Sequence, residues 1–105
     1  MNERDELKIL ISVITEYSLP KKIVLFGSRA QGRARVDSDF DLCILYDRIP
    51  KRKLEVLQDL YRSIFRLGGH PVDLVVYQEC QFEDRASRKG TFESVIQDEG
   101  EVVYG

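Results

Sequence analysis

Leu7, Leu10, Ile11, Ile14 and Tyr17 recur at helical spacing, Ile9 and Val13 broaden the stripe, and Pro20 bars its continuation. The pattern predicts a helix over about Glu3–Tyr17, packed on a sheet by its apolar face. The period then changes. Ile23-Val24-Leu25-Phe26 is an unbroken apolar run stopped by Gly27, as expected of a buried strand entering a tight turn. Phe40 to Tyr46 and Val72 to Tyr77 read as two further strands. Between them, the segment after Pro50 carries Leu54, Leu57, Tyr61 and Ile64 on one stripe, a second helix ended by Gly68-Gly69. Beyond Glu79 the chain is highly charged. A helix through Cys80 to Lys89, a break at Gly90, a short helix through Phe92, Val95 and Ile96, and a last strand Val102-Val103-Tyr104 complete the order. There is no internal repeat, low-complexity tract or linker. The alternation predicts an α/β (α+β) fold: one domain over 1–105, a small mixed sheet backed by helices, with its site at one end of the sheet.

Chemistry concentrates where the first strand ends and the second begins. Gly27 lets a backbone approach a phosphate closely, and the Ser28 hydroxyl can donate to a phosphate oxygen. Ser28-Arg29-Ala30-Gln31 reads as a helix start whose free N–H groups would make an anion site. Downstream, Asp39 and Asp41 are two apart at the head of a strand and project from one face, while Phe40, Leu42 and Ile44 anchor the other in the core. Two ionised carboxylates this close repel, and a divalent cation relieves them; Mg²⁺ suits one or two carboxylates completed by water and substrate phosphates. Asp73, near the start of the next strand, is a third candidate ligand. Alone, a Gly-Ser pair is an ordinary turn, an Asp-x-Asp a solvated rim, and Asp73 after Pro71 the wet start of a strand. Their order and placement agree with one site. A Walker-type loop matches the spacing of Gly27 and Gly32 but has Arg33 and Ala34 where the lysine and hydroxyl belong.

Gly27-Ser28-Arg29-Ala30-Gln31-Gly32, then Ser38-Asp39-Phe40-Asp41-Leu42, then Asp73 resembles the minimal nucleotidyltransferase branch of the DNA polymerase β-like nucleotidyltransferase superfamily, over nearly the whole chain. The resemblance implies the polymerase β-like fold and a Mg²⁺-dependent enzyme using ATP. It assigns Gly27 and Ser28, with Arg29 and Ser38 beside them, to the nucleotide. Asp39 and Asp41 would bind two Mg²⁺ ions and Asp73 would complete the metal site. It also implies an antitoxin paired with a helical HEPN-type toxin, with AMP passed to a toxin tyrosine. Two other readings stay open: an antitoxin that neutralises its partner by binding alone around a vestigial nucleotide site, and nucleotidyl transfer to a small molecule.

Composition narrows the partners. The 105 residues leave no room for a domain that grips an acceptor, so the acceptor is expected to be small or presented by a partner. The net charge is −2 with cations scattered, which argues against strong non-specific nucleic-acid binding. Arg29, Arg33 and Arg35 form the one local basic cluster, beside the expected triphosphate site. Cys43 and Cys80 have no zinc spacing, so a reducing cytoplasm is expected. Cys43 reads as core filler, His70 as a loop residue, and Lys51-Arg52-Lys53 as a solvated helix end or part of a partner surface. No apolar run is long enough to span a membrane.

Overall fold

The computed structural model describes residues 3–32, 39–69 and 71–105. Its elements run α1 (Glu3–Tyr17), β1 (Lys22–Phe26), β2 (Phe40–Tyr46), α2 (Lys53–Phe65), β3 (Val72–Gln78), α3 (Glu79–Ala86), α4 (Phe92–Glu99) and β4 (Glu101–Tyr104). The four strands form one mixed sheet in the order β3-β2-β1-β4. β1 is antiparallel to β2 and to β4, and β2 is parallel to β3, with α2 making the crossover. The expected fold class is the one observed.

Both faces of the sheet are covered, and the alternation along β2 shows how. Phe40, Leu42, Ile44 and Tyr46 point to a core closed by Leu10 and Ile14 of α1 and by Val56, Leu60 and Ile64 of α2. Cys43 and Leu45 point the other way, toward Phe82 and Ala86 of α3 and Ile96 of α4. β2 is therefore buried on both sides, which explains its nearly continuous apolar run. Cys43 is core filler, and burial pushes its thiol up to about 12. Among the described residues, no helix is long and apolar enough to cross a membrane.

Three expectations need correcting. α2 is rotated from the predicted stripe: Val56, Leu60 and Ile64 are buried, whereas Leu54 is 66% exposed and Tyr61 lies at the flank. Docking on the sheet sets the phase, with Val56, Leu60 and Ile64 packed into the core, and Tyr61 is left at the flank, where its Oη accepts the Leu74 N–H at 2.8 Å. The third helix ends at Ala86, before Lys89. Ser28 to Gly32 form turns, not a helix start, and Gly32 sits at a φ of 69° that a helix cannot continue through. His70, Arg33, Arg35 and Ser38 lie outside the described residues.

Lys51, Arg52 and Lys53 are solvent-exposed, as a solvated helix end would be, and two of them also touch other elements. Tyr17 Oη donates to Asp59 Oδ2 at 2.7 Å and Lys51 Nζ reaches the same oxygen at 3.1 Å, tying α1 to α2. Lys53 Nζ lies 4.6 Å from the centre of the Tyr77 ring. The Tyr17 hydrogen bond, then Lys51, holds the Asp59 carboxyl below its ordinary value of 3.8. A depressed carboxyl stabilises the fold above its unfolded pKa, and that contribution is lost as pH falls through the folded one. Tyr17→Phe is therefore expected to melt below the wild type at neutral pH, with the gap narrowing in acid below 3.8. Thermal melts of the two proteins across that range check it, and a gap independent of pH would refute it.

Candidate active site

Three strands end at one rim. β1 brings its C-terminal end there while β2 and β3 bring their N-terminal ends, because β1 opposes β2 and β3 runs with it. The register sets Phe26 opposite Asp41, and Asp41 opposite Asp73. Opposed residues point to one face, so these three share the α3–α4 side of the sheet. Asp39, two residues before Asp41, stands exposed at the strand's head.

The carboxylates sense one another. Partial burial raises the Asp41 carboxyl above its ordinary value, and the charge of Asp73, then that of Asp39, raises it further. A side-chain hydrogen bond with Asp73 favours the protonated form as well. The donor set is all carboxylate oxygen, which suits a hard cation such as Mg²⁺. As the side chains stand, no group of three or more His, Cys, Asp or Glu among the described residues is gathered as a metal cage. The close partners are Asp41 and Asp73, while Asp39 acts through its charge.

Gly27 closes the site from the β1 side. Its φ is 75°, and a Cβ there would run into the Asp41 carboxylate. The turn thus lies directly against Asp41, close enough for one ligand to touch both. Ser28 follows, half-buried. Arg29 goes elsewhere: its side chain is 4% exposed, its guanidinium lies 4.1 Å from the centre of the Phe40 ring, and Nη1 is 3.5 Å from Glu3 Oε2. Phe40 belongs to the α1–α2 core, so in this structure Arg29 braces the turn from the side away from the carboxylates.

The structure thus brings together Gly27, Ser28, Asp39, Asp41 and Asp73, with Arg29 behind them. The sequence reading put Asp73 in the same site as Asp39 and Asp41, but not the parallel register that sets it directly opposite Asp41, which is a tertiary property. It also missed the packing of Phe92, edge-to-face at 5.7 Å, on Phe26, the residue opposite Asp41. The only sequence signal was an apolar first residue in α4, which reads equally well as core.

A central sheet whose glycine turn abuts paired carboxylates defines the class, and the nucleotidyltransferase domain model matches residues 7–101. The chain belongs to that family. It is 30% identical over 81 residues to the protein adenylyltransferase MntA of Aphanizomenon flos-aquae (strain 2012/KM1/D3), an alignment covering 70% of this chain and 54% of that protein. The chain thus spans about half the length of the curated relative it matches. Among solved structures, it superposes on a Sulfolobus solfataricus protein assigned as a nucleotidyltransferase with a TM-score of 0.61 at 19% identity, covering 95% of this chain and 78% of that one. A toxin–antitoxin structure with AMP-PNP gives 0.53 at 24% identity, covering 95% and 73%. A mutant MntA–HpeT toxin–antitoxin structure gives 0.52 at 20% identity, covering 100% and 74%. At such identities the solved structures establish the fold. The MntA relative agrees with the minimal branch that the motifs resemble.

Two outcomes test the geometry. Gly27→Ala is expected to cost on the order of 1–3 kcal/mol, because a non-glycine residue at this φ is strained and its methyl meets Asp41. Chemical denaturation measures it, and an unchanged midpoint would mean that the turn is free to move. Asp73→Asn removes a charge that opposes ionisation of Asp41, so in chelator it is expected to melt above the wild type at neutral pH. The sign follows from a raised carboxyl, which destabilises the fold above its folded pKa and ceases to do so once protonated. The gain should therefore fade in acid, and a variant no more stable than wild type in chelator would show that the pair is not strained.

Proposed function

We propose that the chain transfers AMP from ATP to a hydroxyl acceptor, releasing pyrophosphate. The observation that carries this reading is the contact of the Gly27 turn with the Asp41 carboxylate, which is itself paired in register with Asp73. Phosphates bound at Gly27 and Ser28 would lie against the same carboxylates that a cation needs. Mg²⁺, held by Asp39, Asp41 and Asp73, would neutralise charge on the phosphates and on the attacking oxygen.

The acceptor oxygen forms a bond to the α-phosphorus while the bond to the bridging oxygen of pyrophosphate breaks. Gly27 and Ser28 hold the β- and γ-phosphates through backbone N–H groups and the serine hydroxyl, fixing the leaving group in line. Asp73 is exposed and stands at the outer edge of the rim, since β3 is an edge strand. That position faces an incoming acceptor, whose proton Asp73 helps to remove. Arg29, braced on Phe40 and Glu3, sets the shape of the turn and stands next to the nucleotide site; Ser38 is assigned to the nucleotide by resemblance alone.

The acceptor on this reading is a tyrosine of a HEPN-type toxin, and the chain is the antitoxin. The support is the similarity to an adenylyltransferase named MntA together with the toxin–antitoxin complexes that share its fold. Asp39→Asn/Asp41→Asn is expected to lower transfer by about 100-fold or more, the scale of losing electrostatic stabilisation in a transition state. Intact-mass spectrometry of a helical partner encoded beside this chain, incubated with Mg²⁺ and ATP, reads the result directly. The wild type should add one adenylyl group to the partner and the double variant none. An unmodified partner, protected equally by both forms in stoichiometric excess, would replace transfer with neutralisation by binding.

A further inference from the structure

We infer that Phe92, backed by Phe26, is the platform on which the nucleotide base stacks, and that it makes the site favour purine over pyrimidine triphosphates. The inference rests on the nucleotidyltransferase reading of the rim and adds to it the half of the substrate that the carboxylates and the glycine turn do not touch.

Phe92 is the first residue of α4 and is 52% exposed, whereas Ile96, one turn further on, is buried. Its exposure comes from a fixed position, not from a loose end. The preceding Thr91 caps the helix: Thr91 Oγ1 accepts the Ser94 N–H at 3.1 Å and lies within hydrogen-bonding distance of the Arg85 and Arg88 carbonyls. The next residue is fixed too, since Tyr77 Oη donates to Glu93 Oε2 at 2.7 Å. A half-exposed ring on an anchored backbone contributes little burial to the fold and presents an apolar surface at a defined place.

Phe26 ties that place to the rim. The rings of Phe92 and Phe26 meet at 5.7 Å and 82°, an edge-to-face contact that leaves flat ring surface open. Phe26 directly precedes Gly27 and stands opposite Asp41. Anion turn, carboxylates and aromatic pair therefore occupy one rim on one face of the sheet. A nucleoside triphosphate has the same division, charged at one end and flat and apolar at the other. Exposed Val95, three residues along the same helix face, extends the apolar surface. Because every base has a π-face but the larger purine overlaps a ring more fully, such a platform ranks purines above pyrimidines.

The chain has no tryptophan, so Phe92→Trp introduces a single fluorescent reporter at the platform. With Mg²⁺ present, ATP is expected to quench it, while inorganic tripolyphosphate should bind by calorimetry without quenching. Phe92→Ala and Phe92→Leu should each bind ATP about tenfold more weakly than wild type, within the range for loss of one base–aromatic stack, and should bind tripolyphosphate unchanged. The wild-type preference for ATP over UTP should shrink in both. ATP binding unchanged in both variants, with tripolyphosphate still bound, would overturn the stacking and leave the phosphate and metal site intact. Equal loss of ATP and tripolyphosphate would make Phe92 a structural residue and overturn it as well. A wild type that binds neither probe would bring down the nucleotide reading itself, and the platform with it.

Discussion

The parallel pairing of β2 with β3 sets Asp41 beside Asp73, and the rest of the molecule can be understood from what that pairing demands. This neighbour works against the Asp41 carboxylate, whose ionisation is opposed first by partial burial and then by the charge of Asp73. A slip of one residue would relieve the pair by turning one strand over. It would also turn Phe40, Leu42 and Ile44, or Leu74 and Val76, out of the core. The apolar positions of β2 and β3 thus hold in place the polar positions between them. Core packing holds an unfavourable charge pair in place.

The surroundings secure that register from several sides. β3 lies at the edge of the sheet, where an unpaired N–H invites slippage or a foreign strand. Tyr61 of α2 accepts the Leu74 N–H, satisfying one of those donors next to Asp73. On the β1 side, Gly27 alone leaves space for the Asp41 carboxylate. Arg29 then pins the turn to Phe40, the residue preceding Asp41, and to Glu3 at the start of α1. The turn and the carboxylate strand are therefore linked through the core side of the sheet as well as across the rim.

Local signals in the sequence carried the elements and much of the site. The 3.6-residue stripe of α1 and the apolar runs of β1, β2 and β3 were visible because each buries a face large enough to leave a period. Asp39 and Asp41 could be placed on one side of a strand by alternation alone. What escaped depended on contacts between elements. The phase of α2 was misread because Leu54 and Tyr61 look as apolar as Val56 and Leu60, and only docking on the sheet separates them. The helix expected at Ser28 gave way to turns, with Gly32 in a left-handed conformation. The register that sets Asp73 opposite Asp41, and the packing of Phe92 on Phe26, had no local signature, since residues so far apart in sequence meet only through sheet order and helix packing.

On the proposed reading, the crowding at Asp41 would tie cation binding to stability. A cation between Asp41 and Asp73 turns repulsion into attraction, so a ligand that brings one stabilises the folded chain by mass action, in addition to making its own contacts. A triphosphate delivers such a cation already bound and adds anionic oxygens for the Gly27 turn. On the proposed reading, nucleotide, metal and fold therefore reinforce one another before any acceptor arrives. The acceptor meets a rim whose charge is balanced and whose outermost carboxylate, Asp73, lies on the open edge of the sheet. Electrostatics would then set the order of binding on that reading. Nucleotide with its cation would come first because the carboxylates repel one another, and the hydroxyl second because only the loaded rim could stabilise the charge that develops on it.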